Sequence, residues 1–283
     1  MEQPLLPNPN SSTSTDSPTA ESAPPNTLAG LAFVLILAAM SLWANLEASE
    51  GFDITILNAA RPGTVAARRF DLLFVSNGKA SQILQNASDF VEHILYPNEL
   101  YPRKPVRRVT LRLAGHNLSE VVVSHGDDSQ RPGDFVILVS PSAMADANPG
   151  MALGLAVQRA MARVWLWDGQ GAAPKWLVDA MMEYLSLSAG FAGHAVPLQR
   201  GGTCWGEEEE PVGTARFLKY CEERRSGFIA RLNRAMRKHW NEIMVDVALG
   251  SPSRQLCSAY QSRIRQRPEF SGSRSVLGPS QAM

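Results

Sequence analysis

The alternation of hydrophobic and polar positions predicts strands in the first part of the region between residues 51 and 264. β-Branched and apolar residues recur there at every second position or in short blocks. Gly, Pro, Asn and Asp bound each stretch, which is typical of strands. The predicted strands cover residues 52–58, 106–114, 119–125 and 134–140.

Apolar residues at three- and four-residue spacing predict helices, which make up almost all of the pattern after Gly150. Strands followed by helices are typical of an α+β domain, here with a small N-terminal mixed sheet and a helical C-terminal half. The predicted helices cover residues 80–95, 151–167, 174–189, 212–225, 227–240, 241–249 and 253–264.

A long apolar stretch precedes this domain. Residues 27–46 are uncharged and almost wholly apolar, and twenty helical residues span about 30 Å, the thickness of the hydrocarbon core. The stretch is predicted to be one transmembrane helix that acts as an uncleaved anchor, with a buried core helix as the alternative. Residues 1–26, rich in Pro, Ser and Thr, and residues 265–283, which lack periodicity, are predicted to be disordered tails.

The side of the membrane that carries the domain stays open. The nearest basic residues, Arg61, Arg68 and Arg69, favour a cytosolic domain. Glycosylation triplets at Asn86 and Asn117 would be modified only in a lumenal or extracellular domain.

Charge and cysteine content narrow the function classes. The chain has 27 basic and 27 acidic residues, and the mild basic excess after residue 60 forms no clustered stripe, which argues against nucleic-acid binding. Three cysteines without a C-x-x-C spacing indicate neither a disulfide framework nor a zinc knuckle. Cys221 lies in a helical pattern and is expected to be buried, although a bridge between Cys204 and Cys221 is possible in an oxidising compartment.

Two consecutive predicted helices carry paired charges. Arg159 and Arg163 stand four apart on the helix at 151–167, and Asp179 and Glu183 stand four apart on the next helix. Residues four apart share one face of a helix, so each helix presents a like-charged pair.

Six blocks between residues 51 and 264 follow one another in the order FDITILNAA, RRFD, ASDF, VWLWDGQGAAPKWLVDAMMEYLSLSAGFA, TARFLKYC and GFIARLNRAMR. In this order they resemble one known family, the plant basic secretory proteins, which are peptidase-like proteins of plants and bacteria. The resemblance covers about residues 51–264 and implies a zincin-like domain, a plant setting and a possible link to defence.

The family resemblance also implies a His-Glu-x-x-His zinc motif just before the VWLW block. In this chain the motif falls on Arg159, Ala160, Met161, Ala162 and Arg163. Both expected histidine ligands are arginine, which has no lone pair to offer and stays protonated. The expected glutamate base is alanine, so no metal or cofactor is expected.

We hypothesise that Arg159 and Arg163 replace the metal electrostatically by pairing with Asp179 and Glu183 across the two helices. The alternative is that all four are solvated surface charges.

A substrate groove and a cation site are weaker hypotheses. Tryptophans 165, 167, 176 and 205 would line a groove for a peptide or a glycan. The stretches HGDD (125–128) and GEEEEP (206–211) would hold a cation, and the basic stretch 223–239 is a solvent face rather than a lipid patch.

The combined interpretation is a catalytically inactive, membrane-anchored, metallopeptidase-like protein with a binding or scaffold role. Two alternatives remain: an active metal-dependent peptidase with a reorganised site, and a structural anchor without a ligand. Five histidines are present, but none lies three or four residues from another, which gives the enzyme alternative no ready ligand pair.

Overall fold

A computed structural model describes Leu35 and residues 51–126, 132–191, 204–207 and 209–266. The chain divides into two units, Met1–Gly51 and Phe52–Met283. The strands and helices below all belong to the second unit.

The sheet has four strands in the order β1-β2-β4-β3. β1 and β4 each run parallel to β2, whereas β3 runs antiparallel to β4, so the sheet is mixed as predicted. At the start of the parallel strands Arg108 lies between Asp53 and Asp134, at 3.4 and 3.7 Å. The strands are β1 Asp53–Asn58, β2 Arg108–Leu113, β3 Val122–His125 and β4 Asp134–Val139.

The predicted helices are present within a few residues of their expected ends, which confirms the α+β class. A helix and the π-helical turn that continues it, after β1, and a 3-10 turn after β4 were not predicted. The helices are α1 Val65–Phe70, the π turn Asp71–Val75, α2 Lys79–Leu95, the 3-10 turn Pro141–Met144, α3 Pro149–Trp165, α4 Lys175–Ser188, α5 Pro211–Arg224, α6 Phe228–Ala235, α7 Ile243–Leu249 and α8 Ser253–Gln266.

The core lies where α2 and α3 pack together beneath the sheet. Trp165, at the end of α3, makes two buried hydrogen bonds in this core. The indole Nε1 donates to Ser88 Oγ of α2 at 2.9 Å, and the Tyr96 hydroxyl donates to the Trp165 carbonyl at 2.6 Å. These buried hydrogen bonds fix where α3 ends, and therefore where its arginines stand.

α3 begins and ends at residues suited to those positions. The Asn148 side chain accepts a hydrogen bond from the Met151 N–H at 3.1 Å, and Pro149 occupies the first turn, where its missing N–H costs nothing. The helix stops at Trp165 because Leu166 is extended.

Predictions about the ends of the chain fall mostly outside the described residues. This holds for the transmembrane segment 27–46, apart from Leu35, and for the N-terminal tail. Among the described residues, no helix is long and apolar enough to cross a membrane. α8 runs to Gln266, so the predicted C-terminal tail was drawn two residues too early, and residues 267–283 lie outside the described part.

The suggested bridge between Cys204 and Cys221 is wrong. Cys204 is bonded to Cys257 of α8, with the two Cα atoms 5.7 Å apart, and Cys221 is a free, buried thiol. Cys221, on α5, is fully buried in the core. Near the bridge, the rings of Phe217 and Tyr260 pack at a tilt of 54°, with centroids 5.4 Å apart, and hold α8 against α5.

Candidate functional site

The central part of α3 places Arg159 and Arg163 at the surface of the domain. Their side chains are 41% and 40% exposed. Ala160, the position that the family resemblance assigns to a glutamate base, is fully buried in the core.

The structure brings Arg159 and Glu183 together. The Arg159 guanidinium donates through Nη2 to Oε2 of Glu183 on α4, and the Glu183 side chain is only 6% exposed. A buried carboxylate without a cation would be costly. Arg159 therefore supplies the positive charge that keeps Glu183 stable where it lies.

The second predicted pair, Arg163 with Asp179, is not formed among the described residues. Arg163 instead lies 3.7 Å from Asp168, just after α3. Asp179 accepts a 2.5 Å hydrogen bond from Lys175, one turn earlier on α4. Each charge thus pairs with a nearer partner in sequence, and this part of the cross-helix hypothesis is corrected.

Lys104 is a site residue that sequence reasoning missed. Its Nζ donates to the Leu166 carbonyl at 2.8 Å, where the cation favours the C-terminal end of α3. The rings of Phe135 and Trp167 lie 5.5 and 5.8 Å from Nζ. Lys104 sits in a loop far from α3 in sequence, so no spacing pattern signals it.

The pKa of Lys104 falls from 10.5 to about 8, mainly because the ammonium group is buried; the charge of Asp168 opposes the fall and that of Arg163 adds to it. The exposed Lys175 is the opposite case. Its hydrogen bond to Asp179 and the charge of that carboxylate raise the Lys175 pKa. The site therefore holds two lysines in contrasting environments, and the charge of Arg163 lowers the pKa of both.

The tryptophans divide between core and surface. Trp165 is buried, so it cannot line a groove, which corrects that part of the prediction. Trp205 is half-buried and packs edge-on against Phe217, at 5.4 Å, beside α8. Trp167 and Trp176 are half-buried at the two ends of the segment that joins α3 to α4.

β3 is the outer strand of the sheet on the side of α3. Gly126 N–H donates to Asp134 O at 2.9 Å, so alternate residues of β3 turn their backbone groups toward β4. The N–H groups of Val123 and His125 then face outward. In the described part of the chain no strand pairs with that outer edge.

The other cation hypotheses find little support in geometry. Asp127, Asp128 and Glu208 lie outside the described residues, as does His194. Over the described ranges, no three His, Cys, Asp or Glu side chains come together in a way that could hold a metal ion.

The basic stretch 223–239 carries several arginines that pack on neighbouring groups. Arg234 lies over Tyr101 and Arg237 over Trp167, at 5.5 and 5.9 Å from the ring centroids. Arg231 Nε donates to the Ala248 carbonyl at 2.8 Å. These contacts agree with the interpretation of a helical solvent face.

A family model described as "Peptidase of plants and bacteria" matches residues 49–260. The chain belongs to this family. No curated protein and no solved structure matches it. The match runs from the residues before β1 to α8, so it includes both helices of the site.

A zinc ion is the metal that resemblance to zincins implies for this peptidase family. The residues at the motif positions do not fit it. Structural and catalytic zinc sites use Cys, His, Asp or Glu donors, whereas Arg159 and Arg163 offer only N–H groups. Of the nearby carboxylates, Glu183 is already held by Arg159 and Asp179 by Lys175.

Proposed function

We propose that this chain is a catalytically inactive, zincin-like member of the peptidase family, anchored in a membrane, that binds an extended peptide without cutting it. The observation that carries the proposal is the ion pair between Arg159 and Glu183. It sets a permanent cation where a peptidase of this kind would need an electron-pair donor.

Loss of the general base supports the same conclusion. Without a metal, a water molecule keeps its ordinary, very high pKa, whereas zinc would lower the pKa of a bound water to about 7. Ala160 cannot accept a proton, and a positioned base alone contributes a factor of about 10²–10⁴ in rate. A change at one position would not repair both the ligand set and the base.

Peptide binding is favoured by the outer edge of β3, with which no other strand among the described residues pairs. An extended peptide can add a strand to an exposed sheet edge through main-chain hydrogen bonds. The outward N–H groups of Val123 and His125 offer that edge, and α3 lies alongside it. A glycan is the alternative ligand and would stack on Trp167 and Trp176.

Anchoring is proposed from residues 27–46. The disulfide Cys204–Cys257 favours an oxidising side of the membrane, lumenal or extracellular. Asn86 and Asn117 are both exposed, so glycosylation mapping at these residues tests the side. A role in plant defence is an expectation from the family resemblance.

Two measurements on the purified full chain test the loss of catalysis. We expect no stoichiometric zinc by elemental analysis and no chelator-sensitive cleavage of a mixed peptide library. Zinc at one equivalent together with chelator-sensitive cleavage would overturn the proposal in favour of the enzyme alternative.

Peptide binding is tested at the edge of β3. His125→Pro removes an outward N–H without breaking the ladder to β4, whereas His125→Ala keeps it. We expect His125→Pro to weaken capture of library peptides at least tenfold and His125→Ala to leave capture nearly unchanged. Equal capture by both variants would exclude strand addition at this edge.

A further inference from the structure

α1 and the π turn after it expose an apolar face. Ala67, Phe70 and Phe74 point inward and are buried. On the outer side Val65 is 64% exposed and Leu72 71% exposed, and Leu73 and Val75 are also exposed. We call the outer side chains of Val65, Arg68, Leu72, Leu73 and Val75 the α1 face.

The π turn is what brings two leucines outward together. Ser76 N–H donates to the Asp71 carbonyl at 2.9 Å, a five-residue step that adds one residue to the turn. Phe74 stays in the core while Leu72 and Leu73 both remain outside. Scattered apolar side chains are normal on a surface, but four of them within eleven residues form a patch.

Several basic residues lie close to this patch in sequence. The cations nearest in sequence are Arg61, Arg68, Arg69 and Lys79, and within the described ranges none of them forms an ion pair. The one acidic residue among them, Asp71, accepts a hydrogen bond from Asn58 Nδ2 at 2.8 Å. The α1 face is therefore both apolar and cationic.

We infer that the α1 face lies on the surface of a lipid bilayer, with its leucines and valines at the boundary of headgroups and acyl chains and its arginines on lipid phosphates. Apolar side chains flanked by arginine on one side of a helix are the combination that binds in the plane of a membrane. Arginine suits phosphate because its guanidinium donates two parallel hydrogen bonds.

The inference rests on the proposed anchor for its bilayer. Five residues, 47–51, separate the apolar segment 27–46 from Phe52. Extended chain covers at most about 17 Å over that length. A short tether gives the domain a high effective concentration at the lipid headgroups. Even a weak affinity of the α1 face for the bilayer is then sufficient to keep it bound there.

A fluorescent label tests the contact locally. Leu72→Cys in the full chain gives one reactive thiol, because Cys221 is buried and the other two cysteines are bonded to each other. An environment-sensitive dye at position 72 is followed after reconstitution into phosphatidylcholine vesicles with or without phosphatidylserine. The matched control carries the dye at Glu223→Cys, an exposed position on α5 at the start of the basic stretch 223–239.

We expect the dye at position 72 to shift to shorter wavelength and to be quenched by brominated acyl chains, more strongly with phosphatidylserine, while the dye at position 223 stays in water. Replacing Arg61, Arg68 and Arg69 by Gln should lower the ratio of embedded to free label about fivefold per arginine.

Three results would overturn the inference. One is a dye at position 72 that remains in water in both kinds of vesicle. Another is a dye at position 223 that is quenched instead. The third is a shift at position 72 that appears without lipid and grows with protein concentration, since that would indicate contact between copies or with another protein. Failure of the proposed anchor is detected by a separate assay. Flotation of the chain with vesicles after an alkaline wash depends on residues 27–46 and not on the α1 face.

Discussion

Arg159 of α3 and Glu183 of α4 form an ion pair with very unequal exposure, 41% for the arginine side chain and 6% for the glutamate. The two helices are consecutive and pack against each other. The pair therefore does for the buried carboxylate what a bound cation would do, and it leaves the other side of the guanidinium in water.

This asymmetry predicts unequal effects of removing either partner. Arg159→Met leaves a buried carboxylate without a cation and should lower the free energy of unfolding by about 2 kcal/mol, less than for a fully buried pair because Arg159 is partly solvated. Glu183→Gln leaves only a half-exposed guanidinium and should cost less than about 1 kcal/mol. Urea unfolding at neutral pH measures both.

The exposed pair on the same helix is the control. Lys175 is 83% exposed beside Asp179, and Lys175→Met should change the free energy of unfolding by about 0.5 kcal/mol or less. If Arg159→Met were no more destabilising than Lys175→Met, the four charges would be ordinary solvated residues.

Histidines at positions 159 and 163 should create a metal site. In the double variant Arg159→His/Arg163→His, two imidazoles stand four residues apart on one face of α3, and Glu183 loses its cation and becomes available as a third ligand. We expect about one zinc per chain by elemental analysis after dialysis, and none for the natural sequence.

The single variant Arg163→His is the matched control, since it keeps the pair between Arg159 and Glu183. It should hold no zinc after the same dialysis. Equal zinc in the single and double variants would mean that the metal binds elsewhere, and no zinc in a folded double variant would contradict the alignment of the motif with Arg159 and Arg163.

The strongly periodic parts of the chain could be predicted from sequence because burial of one apolar face determines their structure. α2 and α3 bury one apolar stripe each, and β4 alternates buried and half-buried residues along its length. In these elements burial and local propensity agree, so the hydrophobic pattern is sufficient to find them.

α1 and the π turn escaped prediction because apolar residues there point both ways. Phe70 and Phe74 are buried, but Leu72 and Leu73 are exposed, so no helical stripe is visible in the sequence. The outward-facing leucines, which obscured the helical pattern, are also the residues that suggest contact with a bilayer.

Contacts between distant residues could not be read from spacing. Cys257 pairs with Cys204 across 53 residues, and Lys104 reaches the end of α3 from a loop 62 residues earlier. The pairing of Arg163 with Asp168 depends on where the loop after α3 turns. Such contacts are set by the packed fold, which a periodic pattern does not contain.

Lys104 should make stability depend on pH. Burial lowers its pKa from 10.5 to about 8 in the folded protein. The unfolded chain therefore binds more protons between these values, and the free energy of unfolding should increase as pH rises from 8 to 10.5, by up to about 3 kcal/mol in total. Below pH 8 the lysine is protonated in both states, and this gain is absent.

Urea unfolding at pH 7 and pH 10 checks the effect by difference. Lys104→Met should lose the increase with pH, while Lys219→Met, at an exposed position of α5, should keep it. A natural protein and a Lys104→Met variant with parallel pH profiles would show that Lys104 is solvated as an ordinary lysine.

The bridge between Cys204 and Cys257 should stabilise the attachment of α8. Most of α8 is exposed, and Ser253 is the one residue of the helix that is buried, so the disulfide closes a loop that packing alone holds weakly. Reduction, or Cys257→Ser, should lower the free energy of unfolding by about 4 kcal/mol for a loop of this length.

The free thiol of Cys221 should be protected in the folded protein. Burial raises the pKa of Cys221 to about 12, so the thiol should react with iodoacetamide only after unfolding. Cys221→Ala should lower the free energy of unfolding by about 1 kcal/mol. Peptide mapping without reductant measures the pairing directly, and a disulfide that contains Cys221 would contradict both the attachment of α8 and the buried thiol.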